Sequence, residues 1–437
     1  MQLAALTAAA TTIPLTAQPA DFSLDIAPFT VEPSPRHRYK TVAYNGSVPG
    51  PLLRLKEGRQ VTIEVHNRSS DEQVVHWHGL FVPSAVDGAM EEGTPPIPPG
   101  GTARYTFTPR PAGTRWYHTH VRADNDLSRG LYSGMFGFLL IEPSVNAGGY
   151  DQEAFLALHD MGGQLLASDD GSMNPAYDVS TINGHAMGYG EPLRVRSGQR
   201  LLLRILNASP TEVHWIAFGG HRMQVVALDG NDLPQQKSVS MLRLVPAERA
   251  DVLVELNNPG VWTLGEVRRH VQAAGMAMVV EYAGQAGKPQ WQQPEQLLWD
   301  YTWFAGATTE GAPEAIEVPL VFTSKFAGHG ALDHWAINGK SFPHTDSPIF
   351  TAGKRYRLLF RNRSTDDHPV HLHRHTFEVV RIAGGPRLHG LMKDTILVMA
   401  GTDVDVELIA NHPGPTLFHC HQQDHMDMGF MMLFRYA

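Results

Sequence analysis

Apolar and polar residues alternate in short runs along this chain, as in "QVTIEVHN" ending at Asn67 and "RLLLRILN" ending at Asn207. A period of two is the mark of half-buried antiparallel strands. Helical 3.6-residue periodicity is scarce, and 41 Gly and 31 Pro punctuate the alternating runs. Three segments share one plan: "YNGSVPGPLLRLKEGRQVTIEVHNRS" from Tyr44, "INGHAMGYGEPLRVRSGQRLLLRILNAS" from Ile182 and "INGKSFPHTDSPIFTAGKRYRLLFRNRS" from Ile337. Each opens on Asn-Gly, crosses a turn containing Pro or Gly, and ends in an alternating run closed by Asn-x-Ser. The separations Asn45 to Asn67, Asn183 to Asn207 and Asn338 to Asn362 are 22, 24 and 24 residues. This repeat predicts an all-β chain of three consecutive Greek-key β-sandwich or barrel domains. Their expected spans are 21–145, 150–284 and 315–437. Residues 285–314 read as an interdomain linker whose Trp291, Trp299 and Trp303 are expected to pack between domains.

Composition narrows the possibilities. At 437 residues the chain exceeds one hydrophobic core, in keeping with several domains. The 35 Lys and Arg against 44 Asp and Glu give a net charge of −9 with no block of like charge, which argues against a nucleic-acid partner. No apolar run reaches 18 residues, so no membrane-spanning helix is expected. Residues 1–20, "MQLAALTAAATTIPLTAQPA", resemble the apolar core and small-residue end of an export signal, although the first basic residue is Arg36. They are read as a signal remnant or disordered tail, with a periplasmic or secreted location as the corresponding expectation. A single cysteine, Cys420, excludes an internal disulfide.

The chemistry concentrates in four His-x-His pairs: His76 with His78, His118 with His120, His371 with His373, and His419 with His421. On a strand, residues two apart share a face, so each pair presents two imidazoles about 7 Å apart at the backbone. Two pairs lie in the first repeat and two in the third, so convergence on several metal ions requires those repeats to face each other. The second repeat has His214 at the corresponding place but Ile216 where a second imidazole would stand, and reads as a spacer. In His419-Cys420-His421 the alternation sends both imidazoles to one side and the sulfur to the other. Cys420 must then serve a second site, which His368 and His425 can complete. A His₂Cys set is the ligand signature of a blue-copper electron-transfer centre, because thiolate softness and trigonal geometry suit copper.

At these residues the chain resembles the multicopper oxidases, specifically the three-domain laccase-like bacterial type built from cupredoxin domains. The motifs "HWHG", "WYHTH", "HPVHLH" and "HCHQQDHMDMGF" carry the resemblance. It implies four copper ions, with one-electron oxidation of a small phenol or aromatic amine at a type 1 copper and reduction of dioxygen to water at a trinuclear cluster. Matched by motif, His368, Cys420 and His425 correspond to type 1 ligands. His76 and His371 correspond to type 2 ligands, and His78, His118, His120, His373, His419 and His421 to the type 3 pair. The resemblance also implies that Asp87, in "SAVDGAM", stands near the cluster as a proton relay or anchor. His375 and His412 receive no role. Where many bacterial relatives carry an axial Met, this chain has Phe430, flanked by Met428 and Met431; a phenyl ring cannot coordinate, so a three-coordinate type 1 copper of raised potential is expected. Asp366 and Asp367 are candidates for a substrate-side role. The rival substrate is a metal ion, cuprous or ferrous, and a non-catalytic copper-binding or scaffold role is less favoured because every ligand position is filled. Three repeats let one chain close the cluster alone, so a monomer is expected.

Overall fold

The computed structural model describes residues 19–144, 148–169, 171–295, 299–307 and 314–437. Residues 1–18 of the expected signal remnant, and 296–298 and 308–313 of the expected linker, lie outside the described residues. The fold is all-β. The first third forms two four-stranded sheets, and the middle and last thirds each form a six-stranded and a five-stranded sheet.

One topology is built three times. The opening strand of each unit runs parallel to the alternating strand that ends in Asn-x-Ser. Phe22–Ile26 pairs with Ile63–Asn67, Gln152–Leu158 with Leu201–Asn207, and Ile316–Phe322 with Tyr356–Asn362. The repeated asparagines hold this arrangement at both ends. Asn45, Asn183 and Asn338 take left-handed φ of 51°, 53° and 53° ahead of a glycine, the conformation a tight Asn-Gly turn demands. Their Oδ1 atoms accept from the N–H of Asp25, Ala157 and Val321 on the opening strand. At the other end, Asn67, Asn207 and Asn362 are buried, and each Nδ2 donates to two backbone carbonyls while Oδ1 accepts the N–H of the serine two residues on. Each closes a loop that would otherwise leave buried carbonyls without donors.

The first unit has its own core, with Leu24, Ile63 and Val65 of one sheet facing Leu53, Val75 and Leu139 of the other. The cores of the middle and last units are continuous through Trp299, Tyr301 and Phe304. Within the span read as linker, Tyr301–Phe304 forms a helical turn and Gly306–Ala307 pairs with Leu388–His389, so this segment is an integral part of the packing. Trp303 packs partly buried against the same core, while Trp291 donates from Nε1 to Gln293 on the more exposed stretch.

The middle unit has a charged cluster of its own. His214 is fully buried between Asp160, 2.8 Å from Nε2, and Glu266, 3.2 Å from Nδ1. Burial opposes the charge on His214, but the two carboxylates outweigh it and raise the imidazole to about 9. Burial likewise works against ionised Asp160 and Glu266, yet His214 and neighbouring donors hold both at about 2. Ile216, two residues on, is buried in the apolar core. Because the folded pKa of His214 lies above its ordinary 6.5, its stabilisation is complete below that pH and disappears as the pH climbs through about 9. The carboxylates contribute above their ordinary values and lose that contribution as the pH falls through about 2. Replacing His214 with Ala should cost about 3–5 kcal/mol at neutral pH, because two buried carboxylates lose their partner. Denaturant unfolding at pH 6 compared with pH 9.5 checks this, since the deficit should shrink at the higher pH.

Candidate metal centre

Strand Val75–His78 pairs antiparallel with Gly113–Thr119, setting His76 opposite His118. In the last unit, His368–Leu372 pairs with Thr416–Cys420, setting His371 opposite His419 and Val370 opposite Cys420. The two strand pairs face each other across the interface between the first and last units. The rings of His76 and His373 stack at 3.9 Å and those of His78 and His371 at 3.7 Å, while His118 lies 5.3 Å from His421 and His120 lies 5.1 Å from His419. All eight imidazoles are buried.

Six of the eight rings are aimed by what their other nitrogen holds. Nδ1–H of His76, His118, His371 and His419 donates to the backbone carbonyls of Asp87, Thr119, Asp394 and Cys420, at 2.9, 2.7, 2.7 and 2.7 Å. His373 Nδ1 is 2.8 Å from Asp87 Oδ2, and His78 Nε2 is 3.1 Å from Asp394 Oδ1. The opposite nitrogens point inward. Nε2 of His76, His118 and His371, Nδ1 of His78 and both ring nitrogens of His421 are buried without a hydrogen-bond partner. Nε2 of His120 and of His373 sit 3.5 and 3.1 Å from Nε2 of His419. Burial drives His78, His118, His371, His373, His419 and His421 well below the ordinary histidine value, and takes His120 down to about 3. Burial thus favours the neutral form, whose unused lone pairs converge in an enclosed space. Leaving that many buried acceptors unpaired is costly unless cations take them up, and the donor set fits copper.

The second site lies behind strand Thr416–Cys420. Cys420 Sγ is 3.6 Å from His368 Nδ1 and 3.5 Å from His425 Nδ1, and the two nitrogens are 3.0 Å apart. All three residues are buried, and burial pushes the Cys420 thiol well above its ordinary value, so a soft cation must replace the proton for the thiolate to persist. Ser364 Oγ lies 2.9 Å from His368 Nε2 and orients that ring. Phe430 packs in the same apolar core as Cys420, its ring 4.6 Å from that of His368. Met431 faces the opposite way, into a cluster with Ala89, Leu417 and Met426, while Met428 is partly buried against the core that holds Phe430. The ring of Trp335 lies 4.0 Å from that of His425.

Other residues singled out in the sequence fall into place around these sites. Asp87 is buried, with Oδ2 within 3.1 Å of Nδ1 of His76 as well as against His373. Asp366 and Asp367 are exposed on the turn before His368, where Asp367 Oδ1 accepts the N–H of Ala400 and the backbone carbonyl of Asp366 accepts from Asn362. His375 is buried, 3.0 Å from the His373 carbonyl and 2.6 Å from the Tyr436 hydroxyl, and its ring is 5.1 Å from that of His412. Sequence reasoning missed Glu92, whose buried Oε1 accepts the N–H of Leu417 at 2.5 Å and lies 3.5 Å from His373 Nδ1. It also missed Asp394, which with Lys393 and Thr395 interrupts the apolar run "LMKDTILV", and that interruption was the signal available.

A His₂Cys pocket joined by a single strand to a nest of buried imidazoles defines a copper redox protein whose first and last β-sandwich units, and not the middle one, supply these side chains. Family models described as multicopper oxidase match residues 25–146, 157–283 and 317–437. The chain is 30% identical over 430 residues to the multicopper oxidase MmcO of Mycobacterium tuberculosis, covering 89% of this chain and 82% of that protein. It is 24% identical to laccase-4 of Thanatephorus cucumeris, covering 94% and 88%. Its fold superposes on Fet3p, a multicopper oxidase that functions in iron import, with a TM-score of 0.80 at 19% identity over 95% and 90% of the two chains. The chain belongs to the multicopper oxidase family, and is a copper-dependent oxidoreductase that uses dioxygen.

Proposed function

We propose that the protein is a laccase-like oxidase of phenols or aromatic amines, with a type 1 copper held by His368, Cys420 and His425 and a trinuclear cluster held by the eight converging imidazoles. The unpartnered nitrogens support a finer division: His76 and His371 hold the type 2 ion, His120, His373 and His419 one type 3 ion, and His78, His118 and His421 the other. Bound copper supplies one-electron oxidation at the first site and four-electron reduction of dioxygen at the second. The single observation that carries the reading is the tripeptide His419-Cys420-His421, which links the two sites through backbone alone.

The protein's own groups do the rest. Trp335 and Phe430 wall the His₂Cys pocket with apolar surface and keep water from it. Outside His425, a cavity of about 20 Å³ is lined by Met173, Asp333, Trp335 and Asp424, among others. Asp424 is buried with Oδ1 unpartnered, so this wall is where the O–H or N–H of a small aromatic donor would be received once the narrow mouth widens to admit it. Asp87 holds His76 and His373 and is placed to pass protons toward the cluster.

A second reading has one observation in its favour: Met173, Asp333 and Asp424 at that same mouth also suit a cuprous ion, as soft and anionic donors do. Oxygen uptake by copper-loaded protein, measured side by side with a phenol and with Cu(I), separates them. Fast uptake with the phenol supports the laccase-like reading, and fast uptake confined to Cu(I) overturns it.

Phe430 sets the strength of the oxidant. Changing Phe430 to Met should lower the type 1 reduction potential and make the electron paramagnetic resonance signal more rhombic, because a thioether replaces a ring that cannot coordinate. An unchanged potential, or a wild-type signal that alters on replacing Met431, would contradict the assignment.

A further inference from the structure

The middle unit supplies no His-x-His pair, yet it reaches the imidazole cluster through a buried carboxylate. Asp394 is fully buried, and both its oxygens are gripped by the Arg249 guanidinium of the middle unit, Nη1 to Oδ1 at 2.8 Å and Nη2 to Oδ2 at 2.6 Å. Asp229, also from the middle unit, accepts the N–H of Asp394 and of Thr395 at 3.3 and 3.2 Å. Arg115 of the first unit adds a contact at 3.4 Å, and Lys393 lies 3.0 Å from both Asp229 Oδ2 and Glu248 Oε1, so the buried cations Arg115, Arg249 and Lys393 face the buried anions Asp229, Glu248 and Asp394. The Thr395 hydroxyl donates to Asp394 Oδ1 at 3.0 Å. Gly79, the last residue of "HWHG", makes room for the network. It sits at φ +82°, and a Cβ there would lie 2.6 Å from Asp394 Oδ2 and 2.9 Å from Arg249 Nη2.

The consequence falls on His78. Its Nε2–H donates to Asp394 Oδ1 at 3.1 Å, which leaves the lone pair on Nδ1, buried and unpartnered toward His118 and His421. Four neighbouring rings are anchored the other way, through Nδ1 to backbone carbonyls, and His373 through Nδ1 to Asp87. His78 alone among these six depends on a carboxylate at its Nε2 for its inward-facing Nδ1.

We infer that Asp394, locked by Arg249 and Asp229, is the positioning residue that fixes the ring orientation and tautomer of His78, so that the middle unit sets the geometry of one type 3 site. A carboxylate that receives the far N–H of a ligating imidazole both orients it and raises its basicity. The inference rests on the assignment of His78 to a type 3 ion.

The test uses the full-length, copper-loaded protein with Arg249→Gln and Asp394→Asn. Both variants are expected to keep the blue absorption of the type 1 site, which reports folding. Both should release type 3 copper to a chelator about 10- to 100-fold more readily, with loss of the near-ultraviolet type 3 absorption. Unchanged copper retention and absorption in both variants would overturn the inference. If neither variant turns blue, a structure of copper-loaded wild-type protein decides: His78 bound through Nδ1 with Asp394 on Nε2 supports it, and binding through Nε2 overturns it. A wild-type protein that binds copper only at the His₂Cys pocket defeats the parent assignment instead, an outcome distinct from copper held equally well by wild type and variants.

Discussion

Changing Cys420 to Ser should abolish the blue absorption and bring dioxygen uptake with any reducing substrate down to background. Sγ is the only soft donor among the three atoms that meet in the pocket, within 3.6 Å of both imidazole nitrogens, and a hydroxyl neither ionises nor binds copper comparably there. Its carbonyl also receives Nδ1–H of His419, so the residue touches both sites. Rate enhancements by enzymes are about 10⁶-fold or more, and removing the proposed entry point for electrons should forfeit essentially all of it. Serine is nearly isosteric and the site is fully enclosed, so the histidine cluster should stay in place. Copper analysis should therefore find the blue copper missing and the type 2 resonance retained. Residual turnover of a phenol above a few per cent of wild type would show that electrons enter elsewhere.

Asp87→Asn should act at the opposite end of the reaction. The side chain is fully buried, 2.8 Å from His373 and 3.1 Å from His76, and its carbonyl holds His76 as well. The backbone beside it packs tightly against Val75, where only glycine fits: a Cβ at Gly88 would lie 1.8 Å from the Val75 carbonyl oxygen. An amide of the same shape keeps this packing but loses the capacity to carry a proton. Anaerobic reduction of the blue band by substrate should be unchanged, while its return on mixing with dioxygen should slow by about 10²- to 10⁴-fold, the usual contribution of a positioned acid or base. Stopped-flow absorbance separates the two half-reactions, and reoxidation at the wild-type rate would remove Asp87 from proton delivery.

The all-β architecture was legible because its determinants are local: a period of two, Asn-Gly turns and an Asn that ties its own loop. The His-x-His pairs were legible for the same reason, since alternation alone puts His419 and His421 on one side and Cys420 on the other. It also separates Phe430 from Met431, which the structure places in different clusters. What escaped depends on partners remote in sequence. Asp394 meets a histidine 316 residues earlier, and Glu92 caps an N–H 325 residues later. No local pattern marks a carboxylate as the partner of a distant ring. Trp299 and Trp303, expected to pack between domains, do so in a core shared by the middle and last units, whereas the helical turn at Tyr301–Phe304 and the pairing of Gly306–Ala307 with Leu388–His389 had no local signal within a 30-residue irregular span.

The ion triad around His214 bears on how the molecule is made. Its buried charges are neutralised by amino acids alone, so the middle unit can reach its final packing with no metal supply. A shortage of copper should therefore spare this unit and weigh on the seam between the first and last units, where the buried imidazole lone pairs are left without partners.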